Sequence, residues 1–122
     1  MVNVACIIDN DADSAERLKF ALVNHDYSVT TVTNPDKILN TLHRMYEINI
    51  IFLDFEIRDD GIVIYEMLRS MGIKAPILAY TSCLERRHEL YQVGFDGLVP
   101  KPLDISGLPD KLKRVHAGES IW

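Results

Sequence analysis

Apolar residues along this chain fall into short continuous runs, separated by longer stretches in which they recur every three or four positions. The runs are Val4-Ala5-Cys6-Ile7-Ile8, Ile48-Asn49-Ile50-Ile51-Phe52-Leu53, Ile77-Leu78-Ala79-Tyr80 and the shorter Leu98-Val99. Runs of that length bounded by polar residues predict strands buried on both faces. Strands are expected at residues 2–8, 48–53, 75–80 and 97–99, and the β-branched stretch 28–33 adds another. Between them the period lengthens. Ala15, Leu18 and Leu22 share one face of a helix over residues 12–25, and Ile38, Leu42 and Met45 one over 35–46, opened by the cap–proline pair Asn34-Pro35. Ile64, Leu68 and Met71 mark a helix that begins after Gly61, runs to about residue 70 and is closed by Gly72. Residues 84–93 form a weaker helix stopped by Gly94, and Leu108, Leu112 and Val115 a last one, with Pro109 in its first turn. Strands alternating with helices predict an α/β domain whose parallel sheet is covered on both faces.

Polar residues stand where these strands stop. Asp9 follows the first run, Asp54 the third strand, Thr81 the fourth and Lys101 the fifth. In an open parallel sheet, ligands and chemistry sit outside the carboxyl ends of the strands, so the four residues are expected on one rim. Asp9 and Asp54 would form an oxygen-rich site suited to Mg2+, which prefers one or two carboxylates plus waters and substrate oxygens. Thr81 supplies a hydroxyl donor and Lys101 a mobile charge. Such a set fits phosphoryl transfer, with one aspartate as the nucleophile. Alone, Asp54 would read as a turn cap after its strand; its three partners change that reading. Lys101, between Pro100 and Pro102, has no propensity reason to be there. Asp11 and Asp13 read as cap and first-turn residues of the first helix, Asp59 and Asp60 as solvated turn residues, and Lys111, Lys113 and Arg114 as a solvated face.

Bulk properties narrow the setting. A chain of 122 residues fits one domain. The net charge of -5 argues against direct nucleic-acid binding by this domain. Its apolar runs are far too short for a membrane span, and no signal peptide is visible. Two cysteines, Cys6 and Cys83, make no disulfide framework and suggest a reduced, cytoplasmic protein. No Cys/His metal spacing occurs, and His25, His43, His88 and His116 are expected at the surface. The domain is placed at residues 1–117, with 118–122 as a C-terminal tail or the start of a linker; Ile121 and Trp122 are read as linker or dimer contact.

The segments Ile7-Ile8-Asp9-Asn10-Asp11, Phe52-Leu53-Asp54, Asp60-Gly61, Tyr80-Thr81-Ser82 and Lys101-Pro102, in this order, resemble the response-regulator receiver domain of two-component signalling over essentially the whole chain. The resemblance implies a flavodoxin-like, doubly wound five-stranded parallel sheet of order 2-1-3-4-5 with five helices. It implies Asp54 as phospho-acceptor and a sensor histidine kinase or phosphotransfer protein as donor, in an autocatalysed transfer rather than turnover of a small molecule. Mg2+ would be held by Asp9, Asp54 and the backbone carbonyl of Glu56. Thr81 and Lys101 would hold the phosphoryl oxygens, and the bond before Pro102 would be cis. Phosphorylation would act on the face of the fourth helix, fifth strand and fifth helix, a face also available for a homodimer. A DNA-binding output domain would be a further partner, since the tail resembles the linker of regulators that carry one.

Departures from the family pattern accompany the matches. Asn10 stands where a second acidic metal ligand is usual, and either binds the ion as an amide or does not bind it. The loop after Asp54 lacks the usual proline and is one residue short, placing Glu56 two positions after the acceptor, where its charge would modulate loss of the phosphate. Cys83, two positions after Thr81, is a second modulating position; Leu98 replaces the aromatic switch residue, and the segment from Thr81 to Lys101 is about two residues short. These features support an alternative, a receiver-like interaction module independent of phosphorylation. A remote third reading is a phosphatase of the haloacid-dehalogenase type, with Asp9 as nucleophile and Asp11 as acid.

Overall fold

The computed structural model describes residues 3–43, 47–55 and 61–122. Five strands form one parallel sheet: β1 (Asn3–Ile8), β2 (Tyr27–Val32), β3 (Ile50–Leu53), β4 (Ile77–Thr81) and β5 (Gly97–Pro100), in the order β2-β1-β3-β4-β5. Five helices connect and follow them: α1 (Ala12–Val23), α2 (Ile38–His43), α3 (Gly61–Ser70), α4 (Arg87–Val93) and α5 (Leu108–His116). The fold class and strand order expected from the sequence are those observed.

Alternation along the buried strands sorts side chains onto two faces. Ala5, Ile7, Ile50, Phe52, Leu78, Tyr80 and Val99 pack against α1 and α5 through Leu18, Leu22, Leu108 and Leu112. Cys6, Ile8, Ile51, Leu53, Ile77, Ala79 and Leu98 pack on the other face against Ile38, Ile64, Leu68 and Leu90 of α2, α3 and α4. Such two-sided burial explains why the strands read as unbroken apolar runs.

Boundaries differ in instructive ways. The first helix ends at Val23 rather than residue 25, with Asn24 as its C-cap. Asn34 does cap its segment, its Oδ1 accepting from Asp36 N at 3.0 Å, but Pro35–Lys37 is a 3-10 turn before α2. The helix expected from residue 84 also begins as a 3-10 turn, Leu84–Arg86, and Cys83 makes no side-chain cap bond there. β3 starts at Ile50, two residues later than expected. Val2, Met45, Tyr46, Glu56, Asp59 and Asp60 lie outside the described residues. His25, His88 and His116 are exposed, and the His116 ring also stacks on Tyr27 and shares a hydrogen bond with its hydroxyl. No helix among the described residues is long and apolar enough to cross a membrane.

Past α5 the chain turns back. Gly118 (φ 88°) takes a left-handed conformation, and the amides of Gly118 and Glu119 bond the carbonyls of Val115 and Arg114, both at 3.0 Å. This pattern ends a helix and reverses the chain, and glycine adopts it without strain. Residues 119–122 then run along β5, where Ile121 forms a parallel bridge with Gly97.

Candidate functional site

Strand register sets the rim. Ile8 pairs with Leu53, so Asp9 and Asp54 emerge side by side from neighbouring strands. Asp54 N donates to Ile8 O at 2.9 Å and Asp9 N to Val32 O at 3.0 Å, which carries the ladder one residue beyond each strand. Thr81 pairs with Pro100, and Lys101 N donates to Thr81 O at 2.9 Å. Among the described residues, Asp9, Asp54 and Thr81 are the polar side chains buried at 0%, 3% and 0% exposure. Since buried polar groups need partners, three at one rim of the sheet make it the candidate site.

Lys101 ties the two carboxylates together. Its Nζ lies 2.9 Å from Asp9 Oδ2 and donates to Asp54 Oδ2 at 3.2 Å. The contact to Asp9 is an ion pair outside hydrogen-bond geometry, so Asp9 Oδ2 is buried without a hydrogen bond. Asp9 Oδ1 accepts from Asp11 N at 2.9 Å. Burial pushes the Asp9 carboxyl up to about 6; the Asp11 amide and Lys101 oppose this, and nearby Asp54 adds to it. Burial pulls the Lys101 ammonium down, but the two carboxylates outweigh that and hold it above its ordinary value.

Neighbouring groups fix the rest. Thr81 Oγ1 accepts from Cys83 N at 3.0 Å, which orients the hydroxyl and leaves its proton to donate. Cys83 is half-buried, and Leu98 is buried within β5. Asn10 is exposed. Asp11 is the N-cap of α1, its carboxylate accepting from Ser14 Oγ at 2.8 Å and Asp13 N at 3.1 Å. That commitment leaves it a helix cap, not an acid beside Asp9. Phe55, directly after Asp54, bonds back through its carbonyl to Gly61 N at 3.2 Å. A Cβ on Gly61 would stand 2.7 Å from Phe55 Cα, so this close approach requires glycine.

Two participants escape a sequence reading. The Tyr80 ring lies under Lys101, with Nζ 4.8 Å from its centroid, and its hydroxyl donates to Ser14 O at 3.0 Å. The Arg86 guanidinium stacks 3.6 Å from the centroid of Phe55, the residue after Asp54. Strand alternation signalled Tyr80 only as core, and nothing local signalled Arg86. An open groove of about 190 Å³ beside the rim is lined by Asp13, Ser14, Arg17, Tyr80, Pro102 and Leu103. The Lys101–Pro102 bond is cis, as expected.

The family model described as response regulator receiver domain matches residues 5–113. This chain belongs to that family. Solved structures agree with this receiver fold. The chemotaxis response regulator CheY4 of Vibrio cholerae is 22% identical, with a TM-score of 0.81 over 94% of this chain and 99% of that one. A two-component response regulator from Clostridium difficile is 24% identical, with a TM-score of 0.84 over 94% and 96%. DrrB, an OmpR/PhoB homolog of Thermotoga maritima, is 18% identical with a TM-score of 0.80; the match takes in 98% of this receiver domain and 55% of DrrB. No curated protein matches it in sequence.

Proposed function

We propose that this receiver domain accepts a phosphoryl group on Asp54 from a phosphohistidine of a sensor kinase or phosphotransfer protein. The observation that carries the reading is the Lys101 ammonium shared by Asp9 and Asp54 at a buried rim. Asp54 lies centrally, on the strand between β1 and β4, flanked by the second carboxylate on one side and by Thr81 on the other. An Asp54 carboxylate oxygen attacks phosphorus, the P–N bond breaks, and its electron pair leaves with the donor imidazole, which is then protonated. The product is an acyl phosphate. Lys101, already at 3.2 Å from Asp54 Oδ2, and the Thr81 hydroxyl then hold phosphoryl oxygens.

Mg2+ fits the donor set: two carboxylates on adjacent strands and one buried oxygen, Asp9 Oδ2, that lacks a hydrogen bond. Asp9 and Asp54 are the residues that hold it, with the carbonyl of Glu56 outside the described residues. When bound, the ion neutralises charge between the carboxylates and the incoming phosphoryl group. Asn10, exposed and uncharged, weakens metal binding relative to a second acid at that position. Glu56 and Cys83 modulate loss of the phosphate. On the output side we assign the face of α4, β5 and α5, open to a second copy or a DNA-binding output domain, in a cytoplasmic setting.

The test is intact mass after incubation with acetyl phosphate and Mg2+, beside an Asp54→Asn control. One added phosphoryl group in the wild type alone supports the reading. No gain in folded protein at high Mg2+ favours the phosphate-independent interaction module instead, a reading that the exposed Asn10 motivates.

A further inference from the structure

β5 has β4 on one side only, and its other edge is where residues 119–122 lie. Ile121 N donates to Asp96 O at 3.0 Å, and Leu98 N donates to Ile121 O at 2.9 Å, the two bonds of a parallel pairing. Side chains alternate as in a strand. Ile121 is 3% exposed and joins the core beneath α1 and α5, while Trp122 packs on the opposite cluster and meets Tyr91 of α4 edge-on at 5.6 Å. Gly97 makes the notch, since a Cβ there would stand 2.4 Å from Ile121 Cγ1 and 2.5 Å from its carbonyl oxygen.

We propose that the β5 edge is a strand-accepting docking surface whose resting occupant is this chain's own segment 119–122, and that phosphorylation of Asp54 releases that segment. The release rests on the acceptor reading above. Two of the holds on the segment lead back to residues of the rim, while the bond from Ile121 N to Asp96 O and the buried Ile121 side chain anchor it independently. Leu98, whose amide binds Ile121, is on the same four-residue strand that delivers Lys101. Tyr91, which meets Trp122, is on the helix that follows Thr81 through the 3-10 turn, and that turn is tied to Thr81 Oγ1 by the Cys83 amide. When Lys101 and Thr81 turn toward a phosphoryl group, they pull on β5 and on the start of α4 together. The hold is local, made of two backbone hydrogen bonds at Ile121, its buried side chain and the packing of Trp122 on Tyr91, so a pull on β5 and α4 acts on it without unfolding the rest of the domain. The edge then stands open to an extended apolar segment of a partner, which would take the parallel register now used by Ile121.

Trp122 is the only tryptophan in the chain, so its fluorescence reports the segment directly. Emission, acrylamide quenching and exchange of the Ile121 amide are followed before and after acetyl phosphate and Mg2+, with intact mass on the same samples. The wild type, Asp54→Asn, Ile121→Asp and the milder Ile121→Ala are compared. The resting wild type is expected to emit at shorter wavelength than either Ile121 variant. On phosphorylation it moves toward them, with Ile121 amide exchange faster by about tenfold or more, while Asp54→Asn stays put. Identical resting emission in the wild type and both Ile121 variants overturns the docking. Mass gain with unchanged or blue-shifted emission overturns the release and leaves the acceptor reading standing. No mass gain in folded wild type overturns both the acceptor reading and the release.

Discussion

Asp9→Asn should stabilise this protein while crippling its chemistry, and pH shows why. Asp9 is fully buried, and burial lifts its carboxyl from 3.8 to about 6. The folded value lies above the unfolded one, so the folded chain holds an extra proton between these pH values. The associated stability is fully present below the unfolded value and is lost as pH rises through about 6. Well above that, the buried charge costs about 3 kcal/mol relative to its neutral form. Asparagine keeps the shape and the acceptor for the Asp11 amide, and Lys101 keeps Asp54. In urea unfolding with EDTA, the advantage of the variant over wild type is expected to grow by about 1 kcal/mol between about pH 5 and pH 8. Comparing the gap at two pH values cancels every pH-independent effect of the substitution. A gap that stays constant, or a wild type that is the more stable at the higher pH, would refute the account of Asp9 as a charge held against the preference of the fold. Phosphorylation by acetyl phosphate in Mg2+ should fall sharply in the same variant.

Other perturbations separate the parts of the site. Lys101→Met leaves Asp9 and Asp54 buried without their cation, costing about 3 kcal/mol near neutral pH. Mg2+ should then restore more stability to the variant than it adds to wild type, as read by urea unfolding; equal increments would count against a shared site for metal and lysine. Tyr80→Phe loses the bond to Ser14 O, about 1 kcal/mol in chemical denaturation, but keeps the ring under Lys101 and with it the phosphorylation rate. Tyr80→Leu removes the ring and should slow phosphorylation, so equal rates in the two variants would dismiss the ring as a support for Lys101. Gly118→Ala forces a side chain into a left-handed turn at φ 88°, costing about 1 kcal/mol and increasing quenching of Trp122. Unchanged quenching would mean that this turn does not set the course of residues 119–122.

The fold was legible because its strands are buried on both faces. Runs such as Ile50-Ile51-Phe52-Leu53 have no polar alternation to blur them, and the helices between keep a clean apolar stripe. Strand order was not in the periodicity, which says nothing about neighbours; it came from the family resemblance. Two helix starts were misplaced by a 3-10 turn, one after the capping residue Asn34 and one after Cys83, which makes no cap bond. The chain enters both α2 and α4 through tighter turns that no spacing rule anticipates.

The rim was legible for a geometric reason. Parallel strands in matched register end flush, so residues just past unrelated apolar runs become neighbours in space, as Asp9, Asp54 and Lys101 do. Whatever depends on a second element reaching across the sheet left no such trace. Tyr80 read as core because it is core; its role under Lys101 arises only once β5 lies beside β4. Ile121 and Trp122 had no visible partner in the sequence, since their contacts, Gly97, Leu98 and Tyr91, belong to two other elements. Yet both glycines that the tail requires were visible: Gly118 to reverse the chain, and Gly97 to leave room for its return. A glycine opening a buried strand and a glycine-closed helix ahead of two large apolar residues together pose a steric question, namely what approaches that strand so closely. In this receiver the answer is the chain itself, which makes the same four-residue strand the carrier of Lys101 and the seat of the tail.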